Sequence, residues 1–145
     1  MDKNVVKRLS GLGILAVVAI LTFVLHSAGE ARKPATYTVT FSSGIEMVDQ
    51  ADQVLDRALE DALLRHQSRI IITGHTGTRG DPEANQALSE KRARVVARSL
   101  IDSGIDEDRI ETLGMGGSAP LDRVADESDR AFQRRLPRTE ITIAP

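Results

Sequence analysis

The sequence lacks cysteine altogether and is poor in aromatic residues, with one Tyr, three Phe and no Trp among 145 residues. Without cysteine, the chain cannot form disulfides, thiolate metal sites, a cysteine nucleophile or a lipid-modified N-terminal cysteine. Because aromatic residues make up only 3% of the chain, a core must be built from Ile, Leu, Val and Ala. The formal net charge of -2 argues against nucleic acid as the main partner, which usually requires a basic patch.

Signatures of catalysis and of cofactor binding are also missing from the sequence. The three histidines, His26, His66 and His75, are far apart, and no HExxH motif or similar metal-ligand spacing occurs. The glycines of segment 114–116 form only a fragment of a nucleotide-binding loop, and they favour a tight turn instead. We therefore expect a non-catalytic protein that uses no metal or other cofactor.

Residues 9–25 form an apolar run without any charged residue. About 17 to 25 such residues span a bilayer core. The run follows Lys3, Lys7 and Arg8, and basic residues beside a membrane helix stay in the cytoplasm. We predict a single-pass inner-membrane anchor with an exported C-terminal part. A cleaved signal peptide, which would release a soluble periplasmic protein, is the alternative, and a buried core helix is disfavoured because the run has no polar face.

These features divide the chain into four segments. They are a cytoplasmic N-terminus at 1–8, a transmembrane helix (or signal peptide) at 9–26, a polar linker at 27–36 and a periplasmic domain at 37–145. A linker of this length reaches roughly 35 Å when fully extended. An uncleaved helix would therefore keep the domain close to the membrane.

The periodicity of apolar residues in the domain predicts alternating strands and helices. The predicted elements are a strand at 37–41, a helix at 51–66, a central strand at 70–72, a helix at 81–103, and strands at 110–114 and 140–143. Asp81 and Pro82 form a strong helix start, and Gly104 a helix stop. With right-handed crossovers, both helices cover one face of the sheet. We expect an α+β fold, a two-layer α/β sandwich.

Arg92 does not fit the second predicted helix, because it falls in the middle of the inward apolar stripe. That stripe consists of Leu88, Val95, Val96 and Ser99, and Asn85 also lies on it. A guanidinium on an apolar face is costly unless it is paired. An internal ion pair or a snorkelling side chain is one explanation, and a ligand carboxylate held by the planar fork is the other.

The segments Gly74-His75-Thr76, Asn85, Leu88-Ser89 and Arg92-Ala93 together resemble the signature of the OmpA-like domain. Segment 114–120 and the closing Arg-Thr-Glu-Ile strand fit as well, so the resemblance covers about 37–143. It implies a βαβαββ fold that binds the peptide stem of peptidoglycan, often at meso-diaminopimelate.

The resemblance also implies roles for individual residues. In this family, an Asp directly after Gly-His-Thr accepts a hydrogen bond from the ligand's ammonium, and the Arg of the Arg-Ala pair binds its carboxylate. Arg92 matches that Arg, and Thr76 and Asn85 lie beside it in the motif. The Asp position is Gly77, so the ammonium loses its charged partner. Asp81 is the nearest replacement, with helix capping as its alternative role.

A further arginine of the site is ambiguous from the sequence. The family often closes with an Asn-Arg-Arg-Val-Glu-Ile run. Counting back from Glu140 assigns Arg138 to the second arginine of that run, whereas counting forward from Arg130 assigns Arg134 and Arg135. A solvated charge cluster is the alternative interpretation for all of these arginines.

Two functions follow from these expectations. The first is a non-catalytic protein of the Gram-negative cell envelope that binds peptidoglycan while tethered to the inner membrane. The second is an interaction domain of a membrane protein complex that has lost wall binding, which Gly77 and the short linker favour. Arg79 adds positive charge to the same loop, which suggests a more anionic ligand. Expected partners are peptidoglycan and the membrane, with envelope proteins or a homodimer as further candidates.

Overall fold

Residues 32–145 are the part of the chain that the computed structural model describes, and they contain five strands and three helices. In chain order these are β1 (Ala35–Ser43), β2 (Glu46–Met47), α1 (Ala51–Leu64), β3 (Ile70–His75), α2 (Pro82–Asp102), β4 (Ile110–Gly114), α3 (Asp129–Arg135) and β5 (Arg138–Ile143). A short 3-10 helix at Glu107–Arg109 leads into β4. The predicted mixed α+β class is confirmed.

All five strands form one sheet in the order β2-β1-β5-β3-β4. The C-terminal strand β5 lies in the middle and is antiparallel to both β1 and β3. β3 and β4 are parallel, as expected for strands joined through a helix. Their carboxyl ends therefore meet at one edge of the sheet, where the loops before α2 and α3 leave it.

The two long helices pack on one face of the sheet and enclose an aliphatic core. The strands contribute side chains that are almost fully buried, namely Val39, Phe41, Ile70, Ile72, Ile141 and Ile143. α1 contributes Ala58 and Ala62, and α2 contributes Ala93 and Val96, all of them fully buried. Small alanines let the helices approach the sheet closely. Apart from Phe41, these core residues are therefore aliphatic, as the scarcity of aromatic residues predicts.

Gly74 near the end of β3 makes the closest contact between the sheet and α2. A Cβ atom at this position would lie only 2.0 Å from the carbonyl oxygen of Ser89. Only glycine at position 74 therefore lets α2 pack this closely against β3. The contact holds the second and third turns of α2, which include Ser89 and Arg92, next to the end of β3.

The structure differs from the predicted element order in two places. A two-residue strand, β2, follows β1 in a hairpin, and α3 separates β4 from β5, so the last two strands are not consecutive elements. Ser128 caps α3, because its side chain accepts a hydrogen bond from the backbone N–H of Ala131 at 3.3 Å. The helix was missed because its seven residues are too few for a clear apolar period.

The buried face of α2 differs from the predicted face by a rotation about the helix axis that corresponds to about one residue. Its buried residues are Ser89, Arg92, Ala93, Val96, Ala97 and Leu100, whereas Leu88, Val95 and Ser99 are partly exposed. The predicted membrane helix at 9–26 lies outside the described residues. Within 32–145, no helix is both long enough and apolar enough to cross a membrane.

Candidate functional site

Arg92 is buried on the sheet side of α2, with 3% of its surface exposed. Its Nε donates to the carbonyl of Gly44 at 2.7 Å, and its Nη1 donates to the carbonyl of His75 at 3.0 Å. The guanidinium also lies 4.8 Å from the ring centroid of Phe41, a cation–π contact. The side chain thus connects the β1–β2 turn to the end of β3.

No carboxylate oxygen of residues 32–145 lies within ion-pair distance of Arg92. An internal ion pair within this part of the chain is therefore wrong as an explanation, and burial of the side chain excludes snorkelling. Burial lowers the pKa of Arg92, but a guanidinium remains charged in proteins. The site therefore holds a buried cation whose protein partners are neutral.

The loop after β3 is held in place by backbone contacts. Thr76, which is 3% exposed, donates its backbone N–H to the carbonyl of Gly116 at 2.8 Å. A Cβ on Gly117 would lie 2.5 Å from the carbonyl oxygen of Gly77, so the two loops touch directly. Thr76 and Gly77 directly follow His75, whose carbonyl accepts from Arg92, and the neighbouring loop fixes them in place.

Gln133 on α3 faces Gly77, a contact that the sequence did not predict. A Cβ built on Gly77 would lie 2.8 Å from Oε1 of Gln133 and close to no other atom outside its chain neighbours. The same Oε1 accepts from the backbone N–H of Thr78 at 3.2 Å, and Nε2 donates to the Thr78 hydroxyl at 2.7 Å. A neutral amide therefore occupies the space next to the position at which the family resemblance implies an acid.

A signal for Gln133 was present in the sequence. Counting forward from Arg130 aligns Arg134 and Arg135 with the Arg-Arg pair of the family's closing run. Gln133 then aligns with the Asn that precedes this pair. The residues around Gln133 gave no indication that its amide would contact Thr78, which lies 55 residues earlier in the chain.

Asp81 caps α2, the alternative role predicted for it. Its Oδ2 accepts from the backbone N–H of Ala84 at 3.0 Å. Asn85, one turn into the helix, donates from Nδ2 to the carbonyl of Arg79 at 2.9 Å. The side chain of Arg79 pairs with Asp129, which also pairs with Arg123. The charge of Arg79 is thus partly neutralised within the protein.

A cleft of about 330 Å³ without charged side chains in its lining lies at the carboxyl ends of β3 and β4. Its lining includes Thr78, Asn85, Gln86, Met115, Gly117 and Ser118. Ligands of open α/β sheets bind at this position. No metal site was found in the described part of the chain, since no group of three or more His, Asp or Glu side chains converges there.

Arg138 and Arg92 lie on different faces of the sheet. Arg138 is 5% exposed on β5, where alternation places it on the sheet face opposite Thr139 and Ile141, which belong to the helix-covered side. Its Nε donates to Glu140 at 2.7 Å, and its other nitrogens donate to backbone carbonyls. Unlike Arg92, Arg138 therefore has a carboxylate partner of its own.

His75 lies opposite Arg138 in the β3–β5 ladder and is 4% exposed. Neither ring nitrogen has a hydrogen-bond partner among the described residues. Burial lowers the pKa of His75, and the nearby charge of Arg138 lowers it further, while Glu140 opposes this shift. The ring is therefore neutral near pH 7.

Comparisons with known proteins agree with this architecture. The model of the OmpA family matches residues 40–134. The peptidoglycan-associated lipoprotein of Pseudomonas aeruginosa is 33% identical over 112 residues, which cover 77% of this chain and 66% of that protein. The peptidoglycan-binding protein ArfA of Mycobacterium tuberculosis is 30% identical over 95 residues, which cover 66% of this chain and 29% of that protein.

Solved structures show the same fold. The crystal structure of the peptidoglycan-associated lipoprotein from Burkholderia pseudomallei superposes with a TM-score of 0.64 at 29% identity, covering 74% of this chain and 89% of that one. The chain spans less than two thirds of the length of the two curated relatives named above. The family match over residues 40–134, together with the shared fold, shows that the chain belongs to the OmpA family.

Proposed function

We propose that this chain is a non-catalytic cell-envelope protein that binds peptidoglycan through its stem peptide, and that Arg92 takes a carboxylate of that peptide. The observation that carries the proposal is the buried guanidinium of Arg92, which has only carbonyl and ring partners within residues 32–145. A buried charge is costly until an opposite charge is paired with it. A ligand carboxylate would supply that charge.

The geometry of Arg92 suits a ligand of this kind. A guanidinium carries five N–H donors, and the contacts with Gly44 and His75 use two of them. The remaining donors can bind a carboxylate in charge-assisted hydrogen bonds, each worth about 1.5–3 kcal/mol. The names of the relatives, which describe association with or binding to peptidoglycan, support the same class of ligand.

The ligand we propose is a stem peptide of the diaminopimelate type. Thr76, Gly77 and Asn85 would border it, because they lie in the loop and first turns next to Arg92. Asp81 and Arg138 are weaker candidates, since one caps a helix and the other pairs with Glu140. The neutral cleft between the two loops offers hydroxyl and amide groups to the rest of the peptide or to the glycan.

We further propose that residues 9–26 anchor the protein in the inner membrane and that the domain lies in the periplasm. The support for this arrangement is the apolar run and the basic residues before it. A signal peptide that is cleaved would give the same compartment without the anchor.

Co-sedimentation with purified peptidoglycan tests the role of Arg92. We expect Arg92→Ala to reduce binding at least tenfold, because loss of one charge-assisted hydrogen bond of about 1.5–3 kcal/mol corresponds to that range. Arg94→Ala is the matched control, since Arg94 is an exposed arginine of the same helix with an i,i+4 partner in Glu90. It should sediment like the wild type.

A folding control accompanies this assay, because Arg92 also joins two loops. Arg92→Lys keeps the charge but loses the planar fork, and circular dichroism of each variant shows whether the fold survives. If folded Arg92→Ala sediments with the wall as well as the wild type does, Arg92 is not the carboxylate site.

The second candidate function is an interaction domain that has lost wall binding. Gly77 favours it, because the ammonium of diaminopimelate would find an amide of Gln133 instead of an acid. In that case the wild type would not sediment with peptidoglycan. Chemical cross-linking in cells would then recover an envelope protein bound to the domain.

A further inference from the structure

The surroundings of Gly77 are electrically neutral, although arginines lie close by. Two carboxylates on the segments that flank Gly77, those of Asp81 and Asp129, are engaged elsewhere. Asp81 caps α2, and Asp129 lies between Arg79 and Arg123. A Cβ built on Gly77 would have only Oε1 of Gln133 within 4 Å, apart from its chain neighbours, so no carboxylate of residues 32–145 lies against this position. A free ammonium arriving here would have no charged partner and would be near a buried cation, Arg92.

The amide of Gln133 is held in one orientation by Thr78. Its oxygen accepts from the backbone N–H of Thr78 at 3.2 Å, and its nitrogen donates to the hydroxyl at 2.7 Å. A side-chain amide has two donor hydrogens and two acceptor lone pairs. One of each therefore remains, and this combination matches the N–H and C=O of a peptide bond.

The backbone around Gly77 cannot easily rearrange to recruit a charge. The Gly77 carbonyl is packed against Gly117, where a Cβ would come within 2.5 Å of it. Thr76 is tied to Gly116 by a backbone hydrogen bond of 2.8 Å. The neutral character of this subsite is therefore built into the fold.

We propose that this site selects stem peptides in which the side-chain amine of the diamino acid is acylated, as in a cross-link between two stems, over stems that carry a free ammonium. The inference rests on the proposed function, because it assumes that Arg92 holds the carboxylate of the same residue. Acylation removes the positive charge and creates an amide that Gln133 can pair with through its unused donor and acceptor. Gln133 is then a specificity-determining residue of the site.

Two synthetic probes test the inference on the purified full chain. One is the tripeptide L-Ala-γ-D-Glu-meso-diaminopimelate with its distal amine free, and the other carries an acetyl group on that amine. Isothermal titration calorimetry should give about tenfold tighter binding of the acetylated probe. Gln133→Ala should remove this preference, whereas Gln53→Ala, a change of an exposed glutamine on α1, should keep it.

A double variant tests the inference from the opposite direction. Gly77→Asp combined with Gln133→Ala places a carboxylate at position 77 and removes the amide that would crowd it. We expect this variant to prefer the probe with the free amine by about tenfold, since the ammonium then has a charged partner.

The outcomes separate this inference from the proposed function. If both probes bind the wild type equally, or if the free amine binds more tightly, selection for acylated stems is wrong while wall binding stands. An unchanged preference in Gln133→Ala overturns the role of Gln133. If neither probe binds and the wild type also fails to sediment with peptidoglycan, the proposed function itself is wrong and the inference falls with it.

Discussion

His75 and Arg92 are both buried near the carboxyl end of β3, and burial lowers the pKa of each. The consequences differ because the ordinary values differ. A guanidinium keeps its charge in proteins, whereas an imidazole ordinarily titrates near pH 6.5. Arg92 therefore remains a cation that needs a partner, while His75 becomes a neutral ring in the folded state. Only the second effect makes stability depend on pH near neutrality.

Lowering the pH should destabilise the fold through His75. Its pKa in the folded state lies below the unfolded value of about 6.5. Below that pH the unfolded chain binds a proton that the folded chain excludes, so the free energy of unfolding falls, by at most about 1.4 kcal/mol per pH unit. The loss ends at the folded pKa. Urea unfolding at pH 7.5 and 5.5 measures this difference.

Two variants assign the pH effect to this residue. His75→Gln should have a smaller loss of stability between the two pH values, and His66→Gln, a change in the exposed turn after α1, is the matched control. Equal acid sensitivity in His75→Gln and the wild type would contradict the assignment. An NMR titration of the His75 ring in the wild type provides a check that needs no variant.

At the scale of elements, α2 carries most of the proposed site, and its start is defined locally. Asp81 caps the helix, and Pro82 occupies its first turn. These two signals, together with Gly104, predicted the helix almost to the residue, since capping depends on neighbours in the chain. The burial of Arg92 was predicted from the same helix. Its carbonyl partners were not, because Gly44 and His75 belong to other elements.

Asp81→Ala separates capping from ligand binding. We expect it to lower the free energy of unfolding by about 1 kcal/mol, as for other N-cap replacements, and to leave peptidoglycan binding of the folded protein unchanged. Asp81→Ser should keep both, because serine also caps. Stability comes from chemical denaturation and binding from co-sedimentation. If Asp81→Ser stays stable but loses wall binding, Asp81 acts as a ligand residue after all.

At the scale of the whole molecule, the proposed membrane anchor at residues 9–26 can be tested by fractionation. We expect the protein to fractionate with membranes, to resist extraction by salt and to dissolve in detergent, because an uncleaved apolar run of this length spans the bilayer. The mass of the mature protein, measured by mass spectrometry, should then be that of a chain that still contains this run.

Removal of residues 1–26 provides the matching control for the anchor. The shortened protein, exported by a foreign signal peptide, should appear in the soluble periplasmic fraction. A mature wild-type protein that lacks the run and is itself soluble would show that residues 9–26 are a signal peptide. The peptidoglycan assays are unaffected by either result, since they concern residues in the domain.

The sequence by itself determined the features that depend on neighbours along the chain. These are the starts and stops of the two long helices, the largely aliphatic core and the inward position of Arg92, because capping and apolar periodicity act over a few residues. Only the tertiary structure decided which elements meet. It placed β5 at the centre of the sheet, put Arg138 on the sheet face opposite the long helices, and brought Gln133 against Gly77. Contacts between segments far apart in sequence depend on packing of the whole sheet, and no local pattern records them.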